Sequence, residues 1–160
     1  MTDPGAELRE HQEGGRRWTP AEATATLPLV RRIVDDLVTT YRAWRKAVEG
    51  FEYATAGAAV GAANTAANTA AEQLMADAQS LAGEIDSLRG ELARLEVVVV
   101  RVEHGVVGYR SRLRDSAAML YWLPGAETPS YDWPIGVPEK GTSTSWPSRA
   151  QVVAGKRSRA

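Results

Sequence analysis

The sequence predicts an α+β chain that is mainly α: a long antiparallel helical hairpin, packed in coiled-coil fashion, followed by a small C-terminal antiparallel β-meander. Three observations predict it. Leu27, Val30, Val34, Leu37, Tyr41, Trp44, Val48 and Phe51 alternate three and four apart. Leu74, Ala78, Leu81, Ile85, Leu88, Leu92 and Leu95 do the same further on, so each set is the narrow apolar seam of a helix lying lengthwise against another. After Leu95 the periodicity gives way to β-branched runs parted by turn residues, the mark of short strands.

Met1 to Arg17 holds Pro4, Gly5, Gly14 and Gly15 among charged residues and little to bury except Leu8. It reads as a disordered leader ahead of an ordered region over 18–134. In Trp18-Thr19-Pro20-Ala21-Glu22, Thr19 is placed as N-cap, Pro20 as the first helical residue and Glu22 to complete a capping box. Pro28 lacks an N–H and disfavours helical geometry at Leu27, which predicts a short first turn or two and then a kink or restart. Beyond it the first seam continues, widened by Ile33 and Val38, with Tyr41, Trp44 and Phe51 read as core filling. Ala54 to Ala71 is nearly all Ala, Gly, Thr and Asn. Alanine favours helix there while Gly57, Gly61, Asn64 and Asn68 oppose it, so the segment is expected to be a partly frayed hairpin connection, with helix and loop both open. On the second helix, Asp77, Glu84, Asp86, Arg89, Glu91 and Arg94 occupy the positions between the seam residues and form a face for water or surface ion pairs.

In Val97-Val98-Val99-Val100-Arg101-Val102, β-branching favours an extended chain, although Val99 and Val102 would also prolong the seam; 96–102 is open between helix and strand. Three candidate strands follow, Val106 to Arg110, Ala117 to Leu123 and Ser130 to Trp133. They are parted by Ser111 to Ser116 and by Pro124-Gly125, which suits the centre of a type II turn. Residues 135–160 are rich in Gly, Pro, Ser and Thr and are expected to form a mostly irregular, mobile tail.

Composition narrows the function classes. The 160 residues suit about one domain, with 44% hydrophobic and 24% charged side chains. Twenty acidic and 19 basic residues give a net charge of -1, so any nucleic-acid or anionic-membrane contact has to be local. There is no cysteine, hence no disulfide, thiolate metal site or cysteine nucleophile. No secretory h-region and no run of about eighteen apolar residues occurs, and the expectation is a soluble, cytoplasmic protein without a membrane partner.

Several stretches together carry a resemblance: Trp18-Thr19-Pro20-Ala21-Glu22-Ala23 with Leu27-Pro28-Leu29-Val30, the long helical pair, Glu103-His104-Gly105-Val106-Val107-Gly108-Tyr109, and Met119-Leu120-Tyr121-Trp122 followed by Gly125-Ala126-Glu127. In order and spacing, from Trp18 to Trp146, the chain resembles the DUF2203 family of uncharacterised bacterial proteins. It departs from that family's pattern with Gly108 where an aspartate is usual, Tyr121 where a cysteine is common, and no histidine from Tyr131 to Trp133. The resemblance implies a helical hairpin with a small C-terminal appendage and no established function.

Searches for chemistry return little. The only histidines are His11 and His104, too few for a zinc site, and Glu-x-x-His, Gly-x-Ser-x-Gly, P-loop and Gly-x-Gly-x-x-Gly patterns are all absent. No cofactor, metal or catalytic residue is assigned. Glu103-His104 with Asp115 is the one acid-base combination worth testing, and a small enzyme centred on His104 is the third reading. Arg110, Arg112 and Arg114, beside Tyr109, Tyr121 and Trp122, are the candidate interaction residues, and a nucleic-acid-contacting accessory protein is the second. The favoured reading is a non-catalytic scaffold or adaptor that self-associates through its helices, whose seams centre on Leu37, Tyr41 and Trp44 and on Leu81, Ile85, Leu88 and Leu92. A homodimer is expected, because Ile33, Val38 and Met75 on the flanks would otherwise face water, with an unidentified protein partner as the competing way to cover them.

Overall fold

A computed structural model describes residues 15–60 and 65–138; the expectations for 1–14, for 61–64 and for the tail from 139 lie outside the described residues. Two helices, α1 (Pro20–Val60) and α2 (Thr65–Arg94), precede three strands, β1 (Val97–Arg101), β2 (Val106–Leu113) and β3 (Ser116–Trp122).

Helix α1 begins with the predicted capping box. The Glu22 amide donates to Thr19 Oγ1 at 3.2 Å and the Thr19 amide donates to the Glu22 carboxylate at 2.9 Å, so two amides that the first turn leaves without partners are satisfied reciprocally. That contact holds the Glu22 carboxyl below its ordinary range. The expected restart at Pro28 does not occur: α1 is assigned as one helix through it. Pro28 lies on the exposed side, where its ring meets solvent rather than core, and helical packing on either side carries the chain through. The open question over 54–71 resolves largely to helix, since 54–60 belong to α1 and 65–71 to α2. Alanine content outweighs the single Gly57 there. The helices are therefore 41 and 30 residues long, about 60 and 45 Å at 1.5 Å per residue.

The two helices pack along each other. Leu37, Tyr41, Ile85 and Leu92 are buried, and Trp44, Leu81 and Leu88 are half-buried at the margin. Ile33, Val38 and Met75 are buried within the single chain at 5%, 9% and 8% exposure. This removes the reason for which a second copy was expected. Ile33 and Val38 share one core with Val102, Val107, Tyr109, Leu120 and Trp122 of the sheet region, whereas Met75 joins a separate small cluster with Ala47 and Ala78.

Helix α2 ends at Arg94 with tightened bonds from Leu95 to Leu92 and from Glu96 to Ala93, and Glu96 adopts φ 57°, turning the chain into β1. So 97–101 is strand and not a continued seam. The sheet is antiparallel in the order β1-β2-β3, with Val97 opposite Tyr109, Val99 opposite Val107, Val107 opposite Trp122 and Tyr109 opposite Leu120. Gly105 makes the turn between β1 and β2 at φ 71°, and a Cβ there would stand 3.0 Å from Pro124 and 3.1 Å from Val34, so the turn needs glycine for both conformation and space.

Three expected strand limits change, one of them because β3 ends at Trp122 and leaves Leu123 outside it. Ser111 to Leu113 belong to β2 and Ser116 to β3, leaving Arg114-Asp115 as a two-residue turn in which both residues have positive φ, 50° and 64°. Left-handed geometry at both centres matches the right-handed twist of the flanking strands, and it arises here without the Asn-Gly pair that usually signals it. The expected strand Ser130 to Trp133 is only a single bridge, Tyr121 to Ser130. Pro124-Gly125 forms the expected turn, with Gly125 at φ 98° and the Ala126 amide donating to the Leu123 carbonyl at 3.1 Å.

Candidate functional site

Strand periodicity divides the proposed interaction residues into two groups. On β2, Tyr109 and Ser111 point to the helices while Arg110 and Arg112 point away; on β3, Leu120 and Trp122 point in while Met119 and Tyr121 point out. Tyr109 and Trp122 are consequently at 0% exposure and have no free face for a base or a partner. The Tyr109 ring meets Trp18 edge-on at 5.5 Å and its hydroxyl shares a hydrogen bond with Thr26 at 2.9 Å; burial pushes its pKa up. The Trp122 indole donates to the Ala126 carbonyl at 3.0 Å. These are core roles, and they correct the assignment of both residues to an interaction surface. Arg112 and Arg114 are exposed and Arg110 is half-buried, so of the three aromatics expected to accompany the arginines only Tyr121 shares their outer side.

The outer face has its own aromatic pair, Tyr121 and Trp133, with ring centroids 5.0 Å apart. Gly108 lies opposite Tyr121, and the space that a side chain at Gly108 would need is taken by Met119 Sδ at 2.8 Å and Val100 Cγ2 at 3.1 Å. Positions 108 and 121 are thus neighbours, and the Trp133 ring packs against the second. A glycine, a phenol and an indole there make a packed surface rather than a set of ligands or bases.

The acid-base combination does not assemble. His104 precedes β2 and Asp115 follows it, so the eight residues of the strand hold them roughly 25 Å apart. His104 is exposed, and Glu103 instead faces Tyr41, whose pKa is raised first by burial and then by the Glu103 charge. Among the described residues no group of three or more His, Asp or Glu side chains is placed to hold a metal ion, and no helix is long and apolar enough to cross a membrane.

Two concavities among the described residues bear on function. The first lies between the helices in the half away from the sheet, an open groove of about 790 Å³ whose floor is made by Ala43, Ala47, Gly50, Leu74 and Leu81 and whose rim carries Lys46, Glu49 and Asp77. Tyr53 lines it at 84% exposure. Ala43, Ala47 and Gly50, the α1 residues of the floor, are small, and a Cβ on Gly50 would come within 3.3 Å of Leu74. Buried Trp44 Nε1 has no hydrogen-bond partner, and Trp44, Val48, Phe51 and Leu81 are only half-buried around the small Ala47-Met75-Ala78 cluster. The second, about 700 Å³, lies between Asp86, Arg89, Gly90 and Ala93 of α2 and the Glu96 to Val99 stretch entering β1, with Arg110 at one end. Sequence reasoning missed both. The signal for the first was the spacing of Ala43, Ala47 and Gly50 along one side of α1, with nothing large enough to close it.

The chain matches the family model described as "Uncharacterized conserved protein (DUF2203)" over residues 16–132. No curated protein and no solved structure matches it.

Proposed function

We propose, from the premise that this chain belongs to the DUF2203 family, that it is a non-catalytic interaction protein which self-associates through its helices. In this reading α1 and α2 form an antiparallel, coiled-coil-like hairpin, and two hairpins meet as a homodimer in the cytoplasm. The supporting observation is the interhelical groove with Tyr53 standing 84% exposed beside it. Helices bury a continuous stripe only when something covers both sides of it. The sheet covers the stripe near the start of α1, while around Ala47, Met75 and Ala78 no third layer exists among the described residues. A two-fold partner supplies that layer economically: its Tyr53 lies over the Ala43-Ala47-Gly50 floor, and the mixed-sign rim of Lys46, Glu49 and Asp77 is complementary to itself. Large aromatics seated on small residues are the usual anchors of such contacts.

Light scattering of the full chain at micromolar concentration tests the reading. The expected result is a dimer mass, with Tyr53→Glu shifting the protein to monomer at unchanged helicity. A wild-type monomer with full helicity refutes it.

A further inference from the structure

We infer that the outer face of the sheet is a platform for a single strand of nucleic acid, whose bases stack on the Tyr121 and Trp133 rings and whose phosphates meet Arg110 and Arg112. This surface is separate from the interhelical groove. The inner face of the sheet belongs to the core through Val107, Tyr109, Leu120 and Trp122. Alternation along the strands sends Arg110, Arg112, Met119 and Tyr121 to the other side, where each is half-buried or exposed.

The aromatic pair is fixed in place. Tyr121 exchanges two backbone hydrogen bonds with Ser130, at 2.7 and 2.9 Å, which bring the following segment onto the outer face. The Trp133 indole donates to the Val137 carbonyl at 2.7 Å across the Pro134 to Val137 turn, whose ends are joined by a 3.3 Å backbone bond. The ring planes stand 72° apart, so the pair meets edge to face and does not cover itself as a parallel stack would. Both side chains are only half-buried. A ring held in advance costs little ordering entropy to stack against, and every nucleobase offers it a π-face.

Charge selects the occupant. Arg110 and Arg112 stand on alternate residues of β2, about 7 Å apart along the strand, an interval close to that between successive phosphates of an extended nucleic-acid strand. Arg114 follows at the hairpin tip. Arg16, Arg45 and Arg89 each pair with a carboxylate, whereas the guanidinium groups of Arg110, Arg112 and Arg114 have no such partner among the described residues. Arg110, beside Gly15, is the less open of the two on the strand, and Arg112 is exposed. Asp115 next to Arg114 and Asp132 next to Trp133 are exposed acids at the border of the face, and they confine the contact to a few phosphates. A base-free polyanion would use the arginines and leave the rings idle, an uncharged peptide would do the reverse, and a duplex keeps its bases stacked on one another. A single strand uses both sets of groups.

Fluorescence anisotropy of short labelled oligouridylate and oligothymidylate with the full chain, at salt from about 20 to 200 mM, tests the inference. Binding of either strand is expected, with log affinity falling against log salt at a slope of about -1.4 for two phosphate contacts. Tyr121→Ser is expected to weaken it at least about fivefold through the lost stacking. Arg112→Glu, at an exposed site that does not bear on folding, is expected to weaken it at least about fivefold and to make the slope shallower. Arg42→Glu makes the same charge change at an exposed position of α1 and is expected to alter affinity by less than about twofold. Absence of binding at the lowest salt, equal affinity for inorganic polyphosphate, or an equal loss in Arg42→Glu and Arg112→Glu overturns the inference. Retention on vesicles with anionic headgroups and not on the oligonucleotides overturns it as well.

Discussion

Ser111 sits on the inner face of β2 at 1% exposure, and its Oγ donates to the Trp18 carbonyl at 2.6 Å while sharing a second hydrogen bond with the Tyr131 hydroxyl at 3.1 Å. One small side chain thereby ties three distant parts of the chain together: the entry to α1, the central strand and the segment after β3. The Trp18 amide adds a backbone bond to the Arg110 carbonyl at 2.7 Å, and Arg16 lays its guanidinium 3.7 Å from the Trp18 ring centroid. Residues 15–17, expected to belong to a leader, therefore make contacts with the fold. Ser111→Ala is expected to destabilise the protein by about 1 to 3 kcal/mol, because the buried Trp18 carbonyl loses its side-chain donor in a place water does not reach. Urea unfolding followed by tryptophan fluorescence measures it, and a loss of only a few tenths would mean that the contact contributes nothing net. The same paired-strand logic explains Tyr109 and Trp122, whose aromatic rings look in sequence like members of an arginine-rich surface and in the fold belong to the core.

At the scale of elements, α1 starts where its capping box says it should and continues where Pro28 says it should not. The capping box makes the start pH-sensitive. Glu22 titrates below its ordinary value of 4.5, chiefly because its carboxylate accepts the Thr19 amide and further because Thr19 Oγ1 and Arg16 favour the charged form. A carboxyl whose folded pKa is depressed contributes stability that is present above the unfolded pKa and is lost as pH falls through the folded one. Stability is thus expected to fall more steeply below about pH 4.5 in the wild type than in Glu22→Gln, in which this contribution is absent at all pH values. Thermal melts of the two proteins between pH 3 and 7 compare the slopes, and parallel curves would show that the carboxylate is not linked to folding. The helix outlasts Pro28 because the residues on either side are held by tertiary burial. Leu27 at 3% and Val30 at 0% exposure anchor it to the sheet side, and local propensity yields to that.

For the whole molecule, burial is uneven along the helix pair. The large core joins the start of α1, the end of α2 and the inner sheet face; the second cluster consists of Ala47, Met75 and Ala78 with half-buried neighbours. Beyond Phe51 on α1 and before Leu74 on α2 the described side chains include only one buried residue, Ala71 at 9%. Local opening free energy tracks buried apolar contact. Amides of residues 52–57 and 68–73 are accordingly expected to exchange with solvent orders of magnitude faster than those of 27–41 and 82–92 in native-state hydrogen exchange. Uniform protection along both helices would show that another layer covers the far end, and a dilution series would then reveal whether a second copy supplies it. The half of the molecule predicted to be least protected is the half that carries the groove, which is consistent with an association surface that is ordered further by its partner.

What could be read from the sequence was whatever depends on neighbours in the chain. The seams at Leu27 to Phe51 and Leu74 to Leu95, the Thr19-Glu22 box and the Pro124-Gly125 turn each rest on spacings of two to four residues, and those spacings encode helix faces and turn geometry directly. Tertiary structure decided the rest. Val97 begins a strand because β2 is there to pair with it, and the same valine could have extended α2. Arg114 and Asp115 adopt left-handed geometry because two strands in register demand it, against their own preference. Ile33 and Val38 are covered because the sheet folds back onto α1. Tyr109 and Trp122 face inward, and Arg110 and Arg112 outward, because one face of the sheet meets the helices. A shift of one residue would exchange the two sets, and that choice is made by contacts some 80 residues apart, such as Thr26 with Tyr109 at a separation of 83, which no local pattern records.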